Sequence, residues 1–192
     1  MKFELFVVGE IKSGNAGRGR SENIFEIRKQ LEPQLRRVWE SQPLLEFDKQ
    51  KGIRGSISGL MTNMVCRWVS NTRFIPVICE GLHLAARIEF TFYEPTGSLS
   101  VASEVSDIDN RLKTLFDALR YPRDVNEIGD RDYGNEFHCL LDDDIRIWEI
   151  TVKRTRLLRD MEGQDRFARI SVEAIASQTT LNNLSLLGVP VH

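Results

Sequence analysis

This chain of 192 residues has few cysteines, a small net charge and no long apolar segment. Its three cysteines (Cys66, Cys79 and Cys139) are too few and too scattered for a disulfide framework, so we expect a reduced, cytoplasmic protein. No apolar run approaches about 18 residues, which excludes a membrane-spanning helix. The apolar start, residues 2–9, contains Glu4 and is too short for a signal peptide, so it favours a first strand.

The net charge of only −2 lacks the basic excess that is typical of nucleic-acid-binding proteins. The charge is nevertheless unevenly distributed. Residues 121–150 contain 3 basic and 9 acidic side chains, whereas residues 151–192 contain 6 basic and 4 acidic ones. A protein that binds a polyanion concentrates acidic side chains only where they hold cations, so the acidic stretch is a candidate cation site. Neither a glycine-rich phosphate loop nor a dinucleotide fingerprint follows a predicted strand.

Hydrophobic periodicity predicts an α+β fold in which a small mixed β-sheet is flanked by helices. We expect one domain over residues 1–176 and a tail over residues 177–192. Apolar residues at helical spacing predict helices over residues 24–40 and 109–120. Alternating or apolar runs predict strands over residues 2–9, 73–79, 84–94, 145–154 and 167–175. The last two strands are expected to form a hairpin, and residues 10–22 and 121–139 to be loops.

Some details of these elements can also be predicted. Asn23 and Glu26 resemble a capping box at the start of the first helix, and Pro33 should kink or split that helix. The three tryptophans are expected in the core rather than on a base-stacking surface. They are Trp39, Trp68 and Trp148.

The segment Asp107-Ile108-Asp109-Asn110 stands at the mouth of the second predicted helix. Two carboxylates two residues apart in extended chain point to the same side, and hard cations such as Mg²⁺ prefer such oxygen ligands. Helix capping is the alternative. Lys113 lies one turn after Asp109, where it could neutralise charge on a scissile phosphate or form an ordinary i,i+4 salt bridge.

A second acidic element, Asp142-Asp143-Asp144, lies about thirty residues downstream of Asp109. Three consecutive acidic side chains repel one another unless a cation offsets their charge, although a solvated turn is the alternative explanation. The two acidic elements can approach each other if the strand at 145–154 lies beside the strand at 84–94.

Residues 107–119 resemble the signature of the RusA-like Holliday junction resolvases. The signature is Asp-x-Asp-Asn, then x-x-Lys, then Phe-Asp-Ala-Leu, and the chain matches it without a gap. The family's second acidic element, Asp-Asp before a strand, is similar to Asp143-Asp144 and the residues that follow. The connection between these two elements is longer and more acidic here than in the family.

The resemblance implies a Mg²⁺-dependent endodeoxyribonuclease, with Mn²⁺ as a possible substitute, that cleaves branched DNA as a homodimer. It implies that Asp107, Asp109 and Asp144 are metal ligands, with Asp143 as the fallback, and that Lys113 stabilises transition-state charge. The metal would activate a water and stabilise the leaving oxygen. A catalytically silent or differently specialised structure-selective nucleic-acid-binding protein of the same fold is the alternative. A protein in which Asp-x-Asp-Asn is only a helix cap is a third.

Two basic segments are candidates for contact with DNA phosphates. They comprise Lys12, Arg18 and Arg20 in a glycine-rich segment, and Lys153, Arg154 and Arg156 at the end of a predicted strand. The histidine and cysteine pairs near residues 79–83 and 138–139 lack zinc-finger spacing, so we expect buried cysteines and incidental histidines there.

Overall fold

The computed structural model describes residues 1–12, 18–55, 59–95, 108–157, 166–180 and 183–187. The helices of these residues are α1 (Arg18–Trp39), α2 (Leu44–Lys51), α3 (Leu60–Val65), α4 (Ile108–Leu119) and α5 (Val125–Ile128). The strands are β1 (Lys2–Val8), β2 (Arg67–Val69), β3 (Thr72–Ile78), β4 (Leu84–Pro95), β5 (Glu136–Leu141), β6 (Ile147–Leu157) and β7 (Phe167–Ala176). Short 3₁₀ turns occur at Glu80–Leu82, Asp144–Arg146 and Ser185–Leu187. The predicted α+β class is confirmed.

The described strands form two mixed sheets rather than the single predicted one. The larger sheet has the order β1-β7-β4-β6 and the smaller one the order β2-β3-β5. Strand β4 pairs antiparallel with β7 and parallel with β6, so β6 and β7 are not neighbours and the predicted hairpin is wrong. The register shows β4 between the other two strands: Ile88 of β4 pairs with Ile150 of β6 on one side and with Val172 of β7 on the other.

The core lies between the larger sheet and helices α1 and α4. Strand β4 contributes Ile88, Phe90 and Phe92 to the covered face of the sheet, whereas Arg87 and Glu89 point to the open face, as alternation requires. The helices contribute the apolar stripes that the periodicity predicted. They include Leu31, Leu35, Leu115 and Leu119.

Helix α1 begins at Arg18, six residues earlier than the sequence predicted. Asn23 is therefore not an N-cap. Its side-chain oxygen accepts a hydrogen bond from Lys12 N at 3.0 Å, and its amide donates to Glu10 O at 3.2 Å, which ties the preceding chain to the helix. Pro33 does not split α1, which continues to Trp39.

Residues 121–139, predicted as a loop, contain α5 and the beginning of β5. Strand β5 pairs parallel with β3, and His138 in its centre interrupted the apolar pattern that would have indicated a strand. Burial of the tryptophans is confirmed only for Trp39, because the side chains of Trp68 and Trp148 are 50% and 57% exposed.

The described part of the predicted tail packs on the domain. Leu186 is buried, and Asn183 donates a hydrogen bond to Leu82 O at 3.0 Å. No helix in the described ranges has the length and apolar composition needed to cross a membrane.

Candidate functional site

Helix α4 runs antiparallel to β4 on the covered face of the larger sheet. Arg111 near its start contacts Glu94 near the end of β4, at 2.7 Å, and Phe116 further along contacts Phe90, with ring centroids 5.9 Å apart. The helix start therefore lies near the end of β4, and the helix end lies toward the start of β4. This orientation decides which candidate residues lie close together.

The start of α4 carries the first acidic candidate. Lys113 Nζ donates to Asp109 Oδ2 at 2.5 Å, and both side chains are exposed, at 56% and 67%. This is the i,i+4 salt bridge that the sequence left open as the alternative. Asp107, the other predicted ligand in this segment, lies outside the described residues.

Basic side chains surround this end of the helix. Lys12 lies beside it, since Thr114 Oγ1 donates to Lys12 O at 3.2 Å. Arg154 pairs with Glu94, which also binds Arg111. Arg156 is exposed opposite Glu94 in the register of β4 and β6. Three of the six predicted phosphate-binding residues (Lys12, Arg154 and Arg156) are thus brought to the end of the sheet that carries Asp109.

The remaining predicted basic residues have other surroundings. Arg20 lies in α1, not in a loop, and its Nη2 is 2.6 Å from Asp117 Oδ2, so it ties α1 to α4. Lys153 binds Glu89 at 2.6 Å on the open face of the sheet. Arg18 begins α1, and its side chain lies outside the described part of the chain.

Glu94 is a buried carboxylate that pairs with both Arg111 and Arg154 near the start of α4. The sequence analysis did not identify it. Burial raises the pKa of Glu94, but the hydrogen bonds from Arg154 and Arg111 outweigh burial and leave that pKa below its ordinary value. The sequence does contain both partners of this ion pair: Glu94 at the end of the clearest predicted strand and Arg111 early in α4. Their contact depends on the packing of the two elements, which periodicity does not specify.

The second acidic candidate lies between β5 and β6. Asp142 is largely structural, because its Oδ2 accepts from Glu80 N at 2.7 Å and its Oδ1 accepts from Asp143 N at 2.8 Å. Asp143 caps the 3₁₀ turn, with its Oδ1 accepting from Ile145 N at 3.0 Å. These contacts agree with the alternative explanation, a solvated turn. They involve the carboxylates of Asp142 and Asp143, but not that of Asp144.

Asp143 and Asp144 are adjacent acidic side chains, and the pKa of each depends on the carboxyl group of the other. Burial raises the pKa of Asp144, and the neighbouring Asp143 raises it further, while Arg123 at 3.5 Å opposes both effects. Two neighbouring carboxylates repel each other, and a bound cation relieves that repulsion. The chemistry of the pair therefore fits a cation ligand.

The two acidic candidates lie at opposite ends of α4. Tyr121 N, just after the helix, donates to Leu141 O at 3.2 Å, and the charge of Arg120 acts on both Asp143 and Asp144. The eleven positions from Asp109 to Arg120 span about 16 Å at 1.5 Å per residue.

Ligands of one Mg²⁺ ion each lie about 2.0–2.1 Å from it, so Asp109 and Asp144 of one chain cannot bind the same ion in this arrangement. No group of three or more histidine, cysteine, aspartate or glutamate side chains within the described ranges is arranged to hold a metal ion. The three-carboxylate site that the resemblance implies is therefore not formed by the described residues of a single chain.

In comparisons with known proteins, no protein-family model, no curated protein sequence and no solved structure matches this chain. The functional argument therefore depends on the residues themselves and on where the fold places them.

Proposed function

We propose that this protein is a Mg²⁺-dependent endodeoxyribonuclease that cleaves branched DNA as a homodimer in the cytoplasm. The observation that carries the proposal is the ungapped likeness of residues 107–119 to the RusA-like signature, together with Asp143-Asp144 immediately before a strand. Strand β6 lies beside β4, as the sequence argument required, but the parallel direction of the pair leaves the two acidic elements at opposite ends within one chain.

The charges around Asp109 also support the proposal. Lys113 is bonded to the exposed Asp109 carboxylate, and Lys12 and Arg156 lie at the same end of the larger sheet. Basic side chains are what hold DNA phosphates in register. Lys113 can exchange its bridge to Asp109 for a phosphate oxygen at little cost, because exposed ion pairs contribute about 0–1 kcal/mol.

A homodimer follows from the substrate. Symmetric cleavage of a four-way junction needs two equivalent active sites, and a two-fold dimer supplies them. The free cysteines (Cys66, Cys79 and Cys139) agree with a reducing compartment.

A second candidate function is structure-selective DNA binding without cleavage. The separation of Asp109 from Asp144 within one chain favours it, because a chain that does not assemble the carboxylates cannot hold a catalytic metal between them. The two functions differ in their dependence on metal, and one experiment separates them.

The experiment is cleavage of a synthetic four-way junction and of a linear duplex of the same sequence, with Mg²⁺ or Mn²⁺ and with EDTA. We expect metal-dependent, symmetric nicks in the junction alone, reduced at least about 100-fold by Asp109→Asn. Glu46→Gln is the matched control, since Glu46 is exposed on α2 and binds only Gln50 among the described side chains. Equal cleavage of both substrates would refute junction specificity. Junction binding without cleavage would favour the silent binder.

A thermal melt provides an inexpensive companion measurement. A cation that binds the folded protein raises the unfolding temperature as its concentration passes its dissociation constant, with about 2.7 kcal/mol gained at 100 times that constant. We expect Mn²⁺ to stabilise the wild type and to have no effect on Asp109→Asn. An identical response of the two proteins would show that Asp109 holds no metal.

A further inference from the structure

A cavity of about 410 Å³ lies between the first half of α1, the end of α4 and α5. Neither Asp109 nor Asp144 lines it. A cavity of this size is large enough for a small ligand such as a nucleotide. Four arginines from three separate segments of the chain converge on it: Arg20, Arg28, Arg120 and Arg131. Their present partners show which kind of ligand the cavity suits.

The acidic side chains of the lining are already bonded. Asp117 accepts from Arg20 at one oxygen, at 2.6 Å, and from Arg120 at the other, at 2.8 Å. Both oxygens of Glu127 accept from Arg120, at 2.9 and 3.0 Å. Asp124 caps α5, because its Oδ1 accepts from two backbone N–H groups of that helix. These carboxylates therefore neutralise Arg20 and Arg120 rather than the other two arginines.

Arg28 is a buried cation that no carboxylate of the described residues holds in a salt bridge. The residue is 3% exposed, and its guanidinium donates to the Tyr133 hydroxyl and to the backbone oxygens of Asp117 and Arg120. These acceptors satisfy N–H groups but do not neutralise the positive charge. A buried charge is costly unless an opposite charge offsets it, so Arg28 favours an anion in the cavity.

Arg131 is also held mainly by neutral groups. Its Nη2 donates to Ser21 Oγ at 2.7 Å and its Nη1 to Ile128 O at 3.3 Å. The carboxylate of Glu22 lies 4.0 Å away, and that side chain is mostly exposed. An ion pair at this distance in contact with water contributes little. Arg131 therefore retains most of its charge for a ligand.

The cavity has more donors and more positive charge than its own acids satisfy. Three of its arginines have a buried Nε–H group without an acceptor among the described residues. They are Arg28, Arg120 and Arg131. Four arginines against three carboxylates also leave the lining with a net positive charge. A ligand that brings both acceptor oxygens and negative charge satisfies the donors and the charge together.

We propose that this cavity binds a terminal phosphate, either of a free nucleotide or of a DNA strand. Phosphate oxygens accept several N–H bonds at once, and the fork of an arginine matches them in pairs. A terminal phosphate has one substituent and a charge of about −1.5 to −2 at pH 7, so it can enter a cavity and neutralise it. A backbone phosphate has a sugar on each side and reaches only the rim, where Arg20 and Arg131 are 24% and 18% exposed.

Calorimetric titration tests the binding, and EDTA is present so that no metal site contributes. We expect thymidine 5′-monophosphate to bind and thymidine not to bind. Two thymidines joined by one backbone phosphate, without a terminal one, should bind at least about tenfold more weakly than the monophosphate. Inorganic phosphate should compete with the monophosphate, since both present the same group.

A short single strand of DNA, with and without a 5′-phosphate, identifies the source of the phosphate. The phosphorylated strand should bind more tightly than the unphosphorylated one. Binding of the phosphorylated strand alone would assign the cavity to a DNA end, whereas equally tight binding of the free monophosphate would assign it to a nucleotide. Both results support the proposal. Equal binding of the two strands, without binding of the monophosphate, would overturn it.

Two variants test the location of the site. Arg131→Gln removes a cation of the lining and should weaken the binding of the monophosphate about tenfold or more. Ser21→Asp keeps every arginine but adds a carboxylate beside Arg131, so it should abolish binding by taking the place of the phosphate. Arg36→Gln, on the same helix but outside the cavity, is the matched control and should bind as the wild type does.

Thermal melts with and without the monophosphate show that each variant is folded and repeat the comparison, because a bound ligand raises the unfolding temperature. Ser21→Asp keeps the inquiry open to refutation if Arg131→Gln fails to fold. A purely structural role of the arginines predicts that the wild type binds no phosphate probe, and that result would overturn the proposal. Folded Arg131→Gln and Ser21→Asp proteins that bind as tightly as the wild type would overturn it as well.

This inference is independent of the proposed nuclease function. The titrations contain no metal and measure no cleavage. A protein that binds the monophosphate but cuts no DNA would retain the phosphate site and lose the nuclease function. A protein that cuts the junction but binds no phosphate probe would retain the nuclease function and lose the phosphate site.

Discussion

The two ends of helix α4 differ in charge, burial and partners. At its start, Asp109 is exposed and paired with Lys113, and the surrounding side chains are basic. At its end, Asp143 and Asp144 lie next to each other, and arginines offset only part of their repulsion. The comparison shows that one end carries exposed and basic side chains, whereas the other carries two carboxyl groups whose repulsion is only partly offset. A single chain keeps these two properties apart.

The ends also differ in how they are held. The start of α4 is fixed by Arg111, which pairs with Glu94 in a site where both side chains are only 7% exposed. The end of α4 is fixed by Arg28, whose Nη2 donates to Asp117 O at 2.6 Å and to Arg120 O at 3.0 Å. Substituting Glu94 or Arg28 and measuring the free energy of unfolding shows how much each end of α4 contributes to stability.

The largest effect is expected at the start of the helix. Glu94→Ala leaves Arg111 buried without its carboxylate and should lower the free energy of unfolding by about 3–5 kcal/mol. Lys113→Ala, which removes an exposed pair from the same end, should change it by less than about 0.5 kcal/mol. Urea denaturation measures both variants. Similar losses would show that the buried network is not what holds this end.

A smaller loss is expected at the end of the helix. Arg28→Met removes a guanidinium that satisfies two helix carbonyls and the Tyr133 hydroxyl, so it should cost about 2–3 kcal/mol. Arg36→Met is the control, because Arg36 is half exposed on the same helix and pairs only with Glu32 among the described acids. The proposed role fails if the two variants unfold at the same urea concentration.

The smallest effect, of opposite sign at the two ends, is expected in the dependence of stability on pH. The pKa of Glu94 is lowered by folding, so its contribution is present above pH 4.5 and is lost as the pH falls. The pKa of Asp144 is raised, so its ionisation destabilises the fold above its folded pKa and has no effect below pH 3.8.

Asp144→Asn should therefore stabilise the metal-free protein at pH 7, by less than about 1 kcal/mol because the side chain is partly exposed, and leave it unchanged near pH 3. Glu94→Gln should do the reverse, with its loss of stability greatest at pH 7. Denaturation curves at the two pH values test both. A loss of stability at pH 7 in Asp144→Asn would show that Asp144 is a structural residue.

Elements with strong periodicity were predicted well. The sequence placed β1, β4, α4, β6 and β7 to within about two or three residues of their observed bounds. It failed where a local pattern was interrupted. His138 concealed β5, and glycine and arginine residues concealed the first turn of α1, whose stability comes from contacts such as Arg20 with Asp117 rather than from its own residues.

Partners distant in sequence were the second source of error. The hairpin of β6 and β7 was expected because they are adjacent in the chain, yet β4 lies between them. The carboxylates of the candidate site were expected to meet because their elements are neighbours, yet they lie at opposite ends of those elements. Two elements can therefore be neighbours while particular residues on them are far apart, since the two ends of α4 alone are separated by about 16 Å.

The sequence by itself determined the apolar faces of α4 and β4, the side chains available for chemistry and the basic second half of β6, because each depends on residue type and local spacing. Only the tertiary structure decided that α4 runs antiparallel to β4, that Glu94 is buried between two arginines, and that Asp109 and Asp144 lie far apart in one chain. These features arise from packing between distant segments, whose direction and register no local pattern encodes.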